Sequence, residues 1–523
     1  MNIVMLHYHL NHGGVTQVMA NQLRALDQVC TRADRVRVAV FCDGQVGGWP
    51  AELASGLRAV DVTLHAVPRL RYDAQPVAEV AQLTVQLRAQ LSALGYAPDD
   101  TILHVHNHGL GKNASLPGAL QRLAAEGFAL LLQIHDFAED LRPRNYDHLC
   151  SAWQTADLTP TLYPQAAHIH YAVLNQRDRR VLAGAGVPAD RLHYLPNSPA
   201  LNAPVAARDA ARRSLHARFG IPDSARFLLS PVRAIRRKNV GEMLLWSVLA
   251  GPDTHIGVTL APLNPAEQPY YQRWRTLVSE LQLPVHFEIG GQSGLPFEVN
   301  SAAADLILTT SVTEGFGMAF LESWLAERVL VGRDLPEITG DFAAAGVQLR
   351  YVSPQLRVPV ELIGRAAFCD TLVAACSSMR EAYGRPPLAD AAVADLCRAR
   401  TADDTVDFAD LDEPHQEQVL RVLQRDAGLR THVLDLNPTV TGTLALTPHA
   451  AHDMIMQNKA VVQEDYSLHA SGARLWRAYQ RVTASPRDHR MARLSEGGRI
   501  LEEFLDPTRF RPIRGCYHAY SRS

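Results

Sequence analysis

Short apolar runs alternate with amphipathic, helix-like stretches along most of this sequence, and the alternation restricts the fold more than any other feature. The apolar runs of the first half cover residues 3–6, 36–41, 101–105 and 129–134. Those of the second half cover residues 227–232, 255–260, 285–289 and 306–310. Strands that alternate with helices at this pace predict parallel sheets with helices on both faces. Two such series predict a two-lobed α/β protein with a cleft between the lobes, and clefts of this kind are favoured ligand sites.

The pattern breaks near Pro196-Asn197-Ser198-Pro199, where an Ala- and Arg-rich stretch begins. The predicted organisation is an N-terminal lobe at 1–200, a linker at 201–225, a second lobe at 226–450 and C-terminal helices at 451–523. Within the second lobe, residues from about 351 to 440 are predicted to form a mostly helical insertion. We interpret its acidic stretch, from Asp403 through Asp410 and Asp412 to Glu413, as a solvated surface loop and not as a D-x-D metal motif.

Charge and cysteine content exclude several classes of protein. The formal net charge is −3, from 51 basic and 54 acidic residues, so the strong basic footprint of a nucleic-acid-binding protein is missing. The seven cysteines contain no C-x-x-C pair, which argues against a zinc ribbon or a disulfide framework. Free thiols are typical of a reducing compartment, and no apolar run reaches the length of a membrane-spanning helix. We therefore predict a soluble, cytoplasmic protein.

The stretch Thr313-Glu314-Gly315-Phe316-Gly317-Met318-Ala319-Phe320-Leu321-Glu322 is the strongest local signal. It follows a predicted strand, and its helix is expected to begin around Gly317. Glycines let a ligand approach the backbone, while a helix N-terminus favours an anion such as a diphosphate. Glu314 in the loop and Glu322 inside the helix could each accept hydrogen bonds from the hydroxyls of one elongated ligand, a sugar or a ribose. The alternative is a capping Glu314 and an exposed Glu322.

A second signal is a group of four cations after the first strand of the second lobe. It consists of Arg233, Arg236, Arg237 and Lys238. The helix dipole disfavours cations before a helix, so the placement indicates a bound anion among them. Arginine offers a two-pronged fork and lysine a point charge to phosphate oxygens. A solvated basic loop is the alternative interpretation.

Three weaker signals follow strands of the first lobe. They are Gly13-Gly14, His106-Asn107-His108 and His135-Asp136. Each lies where the carboxyl edge of a parallel sheet binds ligands, although each histidine is compatible with an acid–base, a substrate-binding or a structural role. A G-x-G-x-x-G fingerprint is missing after the first strand, which argues against a standard NAD enzyme. No carboxylate accompanies His104, His106 and His108, so no metal site is predicted.

Taken together, these residues resemble the retaining glycosyltransferases of the GT-B fold, of the family 4 or group 1 type, with their E-x7-E motif. The matching segments are Gly13-Gly14, His135-Asp136, Pro196-Asn197, Arg233 to Lys238, Ser311 to Glu322, and Leu335 to Ile338. The resemblance implies two Rossmann-like lobes facing each other across a cleft, with C-terminal helices that pack back on the first lobe. The long region at 351–440 departs from the family core, and Asn239 stands where many relatives have glycine.

The resemblance also implies a reaction and a division of roles. A hexose would pass from a nucleoside-diphosphate sugar, UDP-glucose before GDP-mannose, to a hydroxyl of a small-molecule or glycan acceptor. Configuration would be retained by front-face attack, with the leaving phosphate accepting the proton, and no metal or further cofactor would be needed. In the second lobe, the resemblance implies that Arg233 and Lys238 bind the diphosphate, that Glu314 binds the sugar and that Glu322 binds the ribose. The backbone of Gly315, Phe316, Gly317 and Met318 would contact the sugar and the phosphate. In the first lobe, Gly13 and Gly14 would contact the phosphate and the acceptor, and His135 would contact the sugar.

Two alternatives remain open at this stage. One is a GT-B-fold enzyme of another reaction type, a nucleotide-sugar epimerase or a phosphorylase. The other is a non-catalytic binding protein that kept the fold. Neither a nucleic-acid partner nor an integral membrane segment is expected, while the oligomeric state and the acceptor are left undetermined.

Overall fold

The computed structural model of this chain describes residues 1–199, 207–446, 448–488 and 490–515. The chain forms two compact units. The first consists of Met1–Ala200, Ala382–Gly384 and Glu464–Asp506, and the second of Leu201–Glu381, Arg385–Gln463 and Pro507–Ser523. Of the stretch predicted as a linker, residues 201–206 lie outside the described residues and residues 208–219 form a helix. Cys516 and the remainder of the C-terminal segment also lie outside them.

The first unit contains a parallel sheet of seven strands in the order β3-β2-β1-β4-β5-β6-β7. These strands are β1 Asn2–Leu6, β2 Val36–Cys42, β3 Val60–Ala66, β4 Thr101–His106, β5 Ala129–Ile134, β6 Ile169–Val173 and β7 Leu192–Tyr194. In the centre of the sheet, Ile3 pairs with Val38 on one side and with Ile102 on the other. Every residue of β1, β4 and β5 is buried. Helices cover both faces of such a sheet, which is why its central strands read as continuous apolar runs.

The helices of the first unit include one pair formed by segments far apart in the sequence. The helices are α1 Gly14–Val29, α2 Leu53–Gly56, α3 Val80–Ala93, α4 Ser115–Ala125, α5 Pro143–Trp153, α6 Thr159–Leu162 and α7 Gln176–Gly184, together with α20 Leu468–Ala484 and α21 Arg499–Phe504. Leu23 and Leu26 of α1 share one hydrophobic core with Leu475 and Tyr479 of α20. A C-terminal helix therefore completes the core of the N-terminal sheet.

The second unit contains a parallel sheet of six strands in the order β10-β9-β8-β11-β12-β13. These strands are β8 Arg226–Arg233, β9 Thr254–Leu260, β10 Val285–Phe287, β11 Leu306–Thr309, β12 Val329–Arg333 and β13 Val352–Ser353. A separate antiparallel pair, β14 Arg357–Pro359 and β15 Thr405–Asp407, lies in the region predicted as an insertion. Strand β8 is central and pairs with both β9 and β11, so the loops after β8 and β11 leave the same edge of the sheet.

Helices make up most of the rest of the second unit. They are α8 Arg208–Phe219, α9 Val240–Ala250, α10 Gln268–Leu281, α11 Phe297–Ala303, α12 Ala319–Leu325, α13 Pro336–Ala344, α15 Asp390–Arg400, α16 Glu413–Arg425, α17 Ala427–Leu436, α18 Pro438–Leu444 and α22 Pro512–Gly515. Two more helices, α14 Arg365–Ala382 and α19 His452–Asp465, belong to the second unit except for their last residues, which are assigned to the first. None of the helices in the described ranges combines the length and the apolar character that crossing a membrane requires.

The acidic stretch of the insertion is only partly a surface loop. Asp403 and Asp404 are exposed, with 82% and 85% of their side chains accessible. Asp407, Asp410 and Glu413 are instead buried. Each of the three pairs with arginine: Asp407 with Arg333, Asp410 with Arg400 and Arg511, and Glu413 with Arg236. The prediction of a solvated loop is wrong for this second half, because arginines distant in the sequence compensate the buried charges.

Candidate functional site

Two loops at the carboxyl edge of the second sheet are joined by hydrogen bonds. One follows β8 and carries the predicted cations; the other follows β11 and carries the E-x7-E stretch. The backbone N–H of Val312 donates to the carbonyl of Arg237 at 2.9 Å, and the Thr310 hydroxyl donates to the carbonyl of Lys238 at 2.7 Å. The two strongest signals of the sequence therefore form one site, at the edge where parallel sheets bind ligands.

Glu314 binds two of the four cations. Arg237 Nη1 lies 2.5 Å from Glu314 Oε2, and Lys238 Nζ donates to Glu314 Oε1. Burial by itself would raise the pKa of Glu314, but the charges of Lys238 and Arg237 lower it to about 2. Burial lowers the pKa of Lys238 to about 8, although Glu314 acts in the opposite direction. The Glu314 carboxylate is thus held ionised and oriented by its two partners.

The other two cations have different surroundings. Arg236 is buried, pairs with Glu267 at 3.3 Å and with Glu413 at 3.1 Å, and lies over the Tyr270 ring. It anchors the loop from within, so the expectation that all four cations surround one anion is wrong for Arg236. Arg233 donates to the Ala261 carbonyl at 2.6 Å and forms no ion pair within the described ranges. Apart from Arg236, the loop therefore carries three positive charges, on Arg233, Arg237 and Lys238. The single negative charge of Glu314 offsets one of them.

Glu322 lies inside α12, near enough to Lys238 for the lysine charge to affect the pKa of Glu322. Burial raises the pKa of Glu322 to about 7, and Lys238 moderates that rise. The helix begins at Ala319, two residues later than predicted. Gly317 has φ +86°, and a Cβ there would lie 2.8 Å from the Phe320 ring, so the turn itself requires glycine.

The side chain of Phe316 belongs to the protein core. It is 5% exposed, and its ring meets that of Phe342 edge-to-face with centroids 5.4 Å apart. Phe316 would therefore contact a ligand through its backbone, as the resemblance implies for the segment Gly315–Met318. Asn239, which replaces a glycine common in the family resembled, has φ +48°, a left-handed conformation that asparagine tolerates.

In the first unit, the ends of β4 and β5 place two histidines in contact. His106 Nδ1 lies 2.9 Å from His135 Nε2, and both rings are buried. The Asn107 side chain accepts from the backbone N–H groups of His135 at 2.7 Å and Asp136 at 3.0 Å. Asp136 in turn pairs with Arg142 at 2.5 Å. These bonds orient the turn that carries His135, whose role towards a sugar stays a prediction.

The remaining histidines of this edge have partners within the protein. His104 lies 2.7 Å from the Tyr479 hydroxyl and 2.8 Å from Gln133 Oε1, and His108 Nε2 lies 2.7 Å from the Leu162 carbonyl. Burial lowers the pKa of His104 to about 3 and that of His108 to about 4, which keeps both neutral. Their contacts favour the structural interpretation. Within the described part of the chain, no three His, Cys, Asp or Glu side chains come together as a metal site.

Gly13 and Gly14 start helix α1 and are exposed. Gly13 is extended, with φ −179°, a conformation open to any residue. A Cβ on Gly14 would meet no atom within 4 Å, and one on Gly13 would meet only the Asn11 carbonyl at 3.9 Å. Neither backbone conformation nor packing in this chain therefore explains the two glycines, and their predicted contact with a ligand stays a prediction.

Lys112 lies in the loop between β4 and α4, outside the motifs predicted from the sequence. Its Nζ is 5.5 Å from the centroid of the Tyr72 ring. A usable signal was present, because lysine is rare here: Lys112, Lys238 and Lys459 are the three lysines among 51 basic residues.

Comparison of the sequence with known proteins finds a distant relative, although no protein-family model matches. A sequence relative, the mannosylglucosyl-3-phosphoglycerate synthase of Petrotoga mobilis, is 26% identical over 349 residues, which make up 65% of this chain. The match spans 66% of that synthase's own length, just under two thirds.

Two solved structures illustrate the likeness of the fold. Sucrose-phosphate synthase from Thermosynechococcus elongatus aligns with a TM-score of 0.52 at 14% identity, over 92% of this chain and 98% of that one. HepE from Anabaena, in complex with UDP, aligns with a TM-score of 0.49 at 12% identity, over 92% of this chain and 100% of that one. The alignment with sucrose-phosphate synthase and the two parallel sheets confirm the predicted α/β fold of the GT-B class, with two Rossmann-like units.

Proposed function

We propose that this protein is a retaining glycosyltransferase that moves a hexose from a nucleoside-diphosphate sugar to a hydroxyl of an acceptor. The observation that carries the proposal is the Glu314 carboxylate at the edge of the second sheet, held by Arg237 and by Lys238, whose charge also acts on Glu322. A nucleotide sugar carries both hydroxyl groups and a diphosphate. Carboxylates accept hydrogen bonds from the hydroxyls, and cations bind the phosphates, so both kinds of side chain are required in one site. The relative from Petrotoga mobilis, whose name describes the synthesis of a glycosylated product, supports the same class of reaction.

The cations and the glycine loop provide the diphosphate subsite. Arg233 has no ion pair among the described side chains, and Glu314 offsets one of the two charges on Arg237 and Lys238. The loop thus carries excess positive charge beside the backbone of Gly315–Met318. A diphosphate bound here would balance that charge, and the balance would grow as the leaving group gains negative charge in the transition state.

The two glutamates bind different parts of the donor in this proposal. Glu314, with a pKa of about 2, is ionised at neutral pH and accepts hydrogen bonds from hydroxyls of the transferred hexose. Glu322 lies inside α12 and accepts from the ribose hydroxyls. Because Glu314 already serves two cations, it is a poor proton acceptor and a poor nucleophile.

The chemistry then follows the front-face course that the resemblance implies. The bond between the anomeric carbon and the diphosphate oxygen breaks, and the acceptor hydroxyl forms its bond on the same face. Its proton passes to the departing phosphate oxygen, so configuration is retained. The protein contributes charge stabilisation and orientation. We further propose that Arg233, Arg237 and Lys238 supply the positive charge without a metal ion.

The proposal is tested first by binding and then by transfer. UDP-glucose and GDP-mannose are the leading donors, the first from the resemblance and the second because the relative's name contains a mannosyl group. We expect one nucleotide or nucleotide sugar in a thermal-shift panel to raise the melting temperature, as mass action requires. The same donor should release nucleotide only when an acceptor is present, give a product of retained configuration by NMR, and remain active in EDTA. Nucleotide release without any acceptor would instead point to the epimerase alternative.

Binding of the nucleoside diphosphate is expected to depend on pH through Glu322. Because burial raises the pKa of Glu322 to about 7, the carboxyl is protonated below that pH and loses acceptor capacity for the ribose hydroxyls. Affinity should therefore fall as the pH drops below about 7, by at most about tenfold per pH unit. Calorimetric titration of UDP or GDP on both sides of pH 7 measures the effect.

A matched variant separates this contribution from titration of the nucleotide's own phosphate. Glu322→Gln keeps the size of the side chain and removes its titration, so its profile reports the remaining titrations, those of the nucleotide phosphate and of Lys238. The difference between the two profiles belongs to Glu322. Identical profiles for the wild-type protein and the variant would contradict the ribose assignment.

A further inference from the structure

Lys112 is a half-buried cation with no carboxylate partner among the described residues. Its Nζ makes no hydrogen bond and no ion pair with any described residue. Burial lowers the pKa of Lys112, and the neighbouring charge of Arg142 lowers it further. The Tyr72 ring offsets part of the free-energy cost of removing this ammonium group from water, and an anionic ligand would offset the rest.

Two carboxylates near Lys112 or its neighbour Tyr72, Asp73 and Asp136, have partners of their own. Asp136 pairs with Arg142 at 2.5 Å. Asp73 lies 3.0 Å from His148 Nε2 and accepts from the backbone N–H of Ala114 at 2.6 Å. Lys112 therefore remains available to a negatively charged molecule from solution.

The choice of lysine at this position is itself informative. With three lysines among 51 basic residues, arginine is the usual cation of this chain. Lys238 pairs with Glu314 and Lys459 pairs with Glu327. Lys112 differs from both in having no carboxylate partner among the described residues. A lysine offers three rotatable donors on a flexible stem, which suits a tetrahedral or planar anion whose position varies.

Tyr72 forms an apolar wall beside this charge, and its own position is well defined. The Tyr72 ring packs edge-to-face on Tyr8 at 5.4 Å between centroids, and its hydroxyl lies 3.1 Å from His9 Nε2. Tyr72 is 44% exposed and also lines an open cavity of about 580 Å³ together with Arg71, Asn113 and two carboxylates, Asp73 and Glu79, which pair with His148 and Arg69. An accessible ring next to a cation that has no carboxylate partner among the described residues provides two complementary contacts for an anionic carbohydrate or a small hydroxy acid.

We propose that Lys112 and Tyr72 form an acceptor subsite that binds an anionic group, a phosphate ester or a carboxylate, of the molecule to be glycosylated. The subsite lies in the loop after β4, at the carboxyl edge of the first sheet. Its description as an acceptor subsite rests on the proposed function, whereas anion binding by Lys112 does not. The protein should consequently prefer acidic acceptors to their neutral counterparts.

The small number of lysines allows a direct test of anion binding. Reductive methylation with ¹³C-formaldehyde labels three lysines and the N-terminal amine while it preserves their charge. Lys112→Arg identifies the Lys112 resonance in the NMR spectrum. Inorganic phosphate and acetate are then titrated separately, so that the two arms distinguish a phosphate site from a carboxylate site. We expect a saturable shift of the Lys112 resonance with at least one of them, and a Lys459 resonance that does not move.

Transfer kinetics test the acceptor role. With glucose 6-phosphate and glucuronate as charged acceptors and glucose as the neutral one, Lys112→Gln should raise KM for the preferred charged acceptor by about 10–100-fold, the loss of a charged hydrogen bond. KM for glucose and kcat should change little. Lys459→Gln is the matched control, because it removes a lysine paired with Glu327 far along the sequence.

Folding gives a second, independent measurement. Lys112→Met removes an uncompensated charge, so its melting temperature should equal or exceed that of the wild type, whereas a structural lysine would give a lower one. The proposal is overturned if neither anion moves the Lys112 resonance or if Lys112→Met is clearly destabilised. Anion binding at Lys112 in a protein that transfers no sugar would support the anion site and would reject the proposed function instead.

Discussion

Glu314→Ala is expected to lower kcat/KM for sugar transfer by about 10²–10³-fold, the range seen when one preorganised polar contact to a reacting group is removed. The carboxylate is predicted to bind hydroxyls of the hexose, and it also orients Arg237 and Lys238. Its loss therefore disturbs both the sugar contact and the phosphate contacts. Without Glu314 the pKa of Lys238, which is about 8 in the intact site, should fall further.

The same substitution should affect folding much less than activity. The Arg237 side chain is 40% exposed and can turn to solvent, while Lys238 can lose its proton when its partner is removed. Activity is measured with the donor found in the binding panel, and stability by urea unfolding of the same preparation. Glu327→Ala is the matched control, since Glu327 is a glutamate of the same unit that also pairs with a lysine, at 2.7 Å. Near-normal transfer by Glu314→Ala would reject the assignment of this loop to the donor.

Arg333→Met is expected to reduce the free energy of unfolding by about 3–5 kcal/mol, the typical cost of leaving buried charges without their partner. Arg333 is 3% exposed and lies 2.6 Å from Glu242 and 2.7 Å from Asp407. Glu242 belongs to α9, directly after the basic loop, and bonds to Asn239 at 2.8 Å. Asp407 belongs to the insertion, so this one arginine joins the insertion to the helix that follows the cations proposed to bind phosphate.

The loss should be larger at alkaline than at acidic pH. Burial already raises the pKa of Glu242 to about 7 in spite of Arg333, and without the arginine it should rise further. A carboxyl whose pKa is raised by folding holds its proton in the folded state, so stability falls as the pH rises from the unfolded value of about 4.5 through the folded one. Urea unfolding on both sides of pH 7 measures this dependence.

A surface arginine provides the control for this experiment. The side chains of Arg398 and Asp395 are 77% and 73% exposed, and their pair should contribute little. Arg398→Met is therefore expected to unfold almost as the wild type does. If Arg333→Met were no more destabilising than Arg398→Met, the buried network would not be holding the insertion in place.

Local pattern was sufficient to predict the two parallel sheets and the two loops that form the candidate site of the second unit. The apolar runs at 3–6 and 129–134 became β1 and β5 almost residue for residue, because strands buried on both faces must be apolar throughout. Both loops of the second unit were also identified, since strand ends, glycines and clustered cations are read within about ten residues. Their meeting at one edge follows from the adjacency of β8 and β11 in the sheet.

Local pattern could not assign partners across long separations. Arg236 and Arg237 are neighbours in the sequence, yet Arg236 is buried against Glu413, 177 residues away, while Arg237 binds Glu314, 77 residues away. The burial of Asp407 and Asp410 in an acidic stretch was misjudged for the same reason.

What the sequence by itself determined was the fold class and the two loops proposed to bind the donor, because periodicity and strand-end composition are local properties. Only the tertiary structure decided which carboxylate each cation pairs with, which carboxylates are buried, and that Lys112 has no carboxylate partner among the described residues. The energy of a charge depends on its burial and on its nearest opposite charge, and both are set by segments brought together by the sheet order.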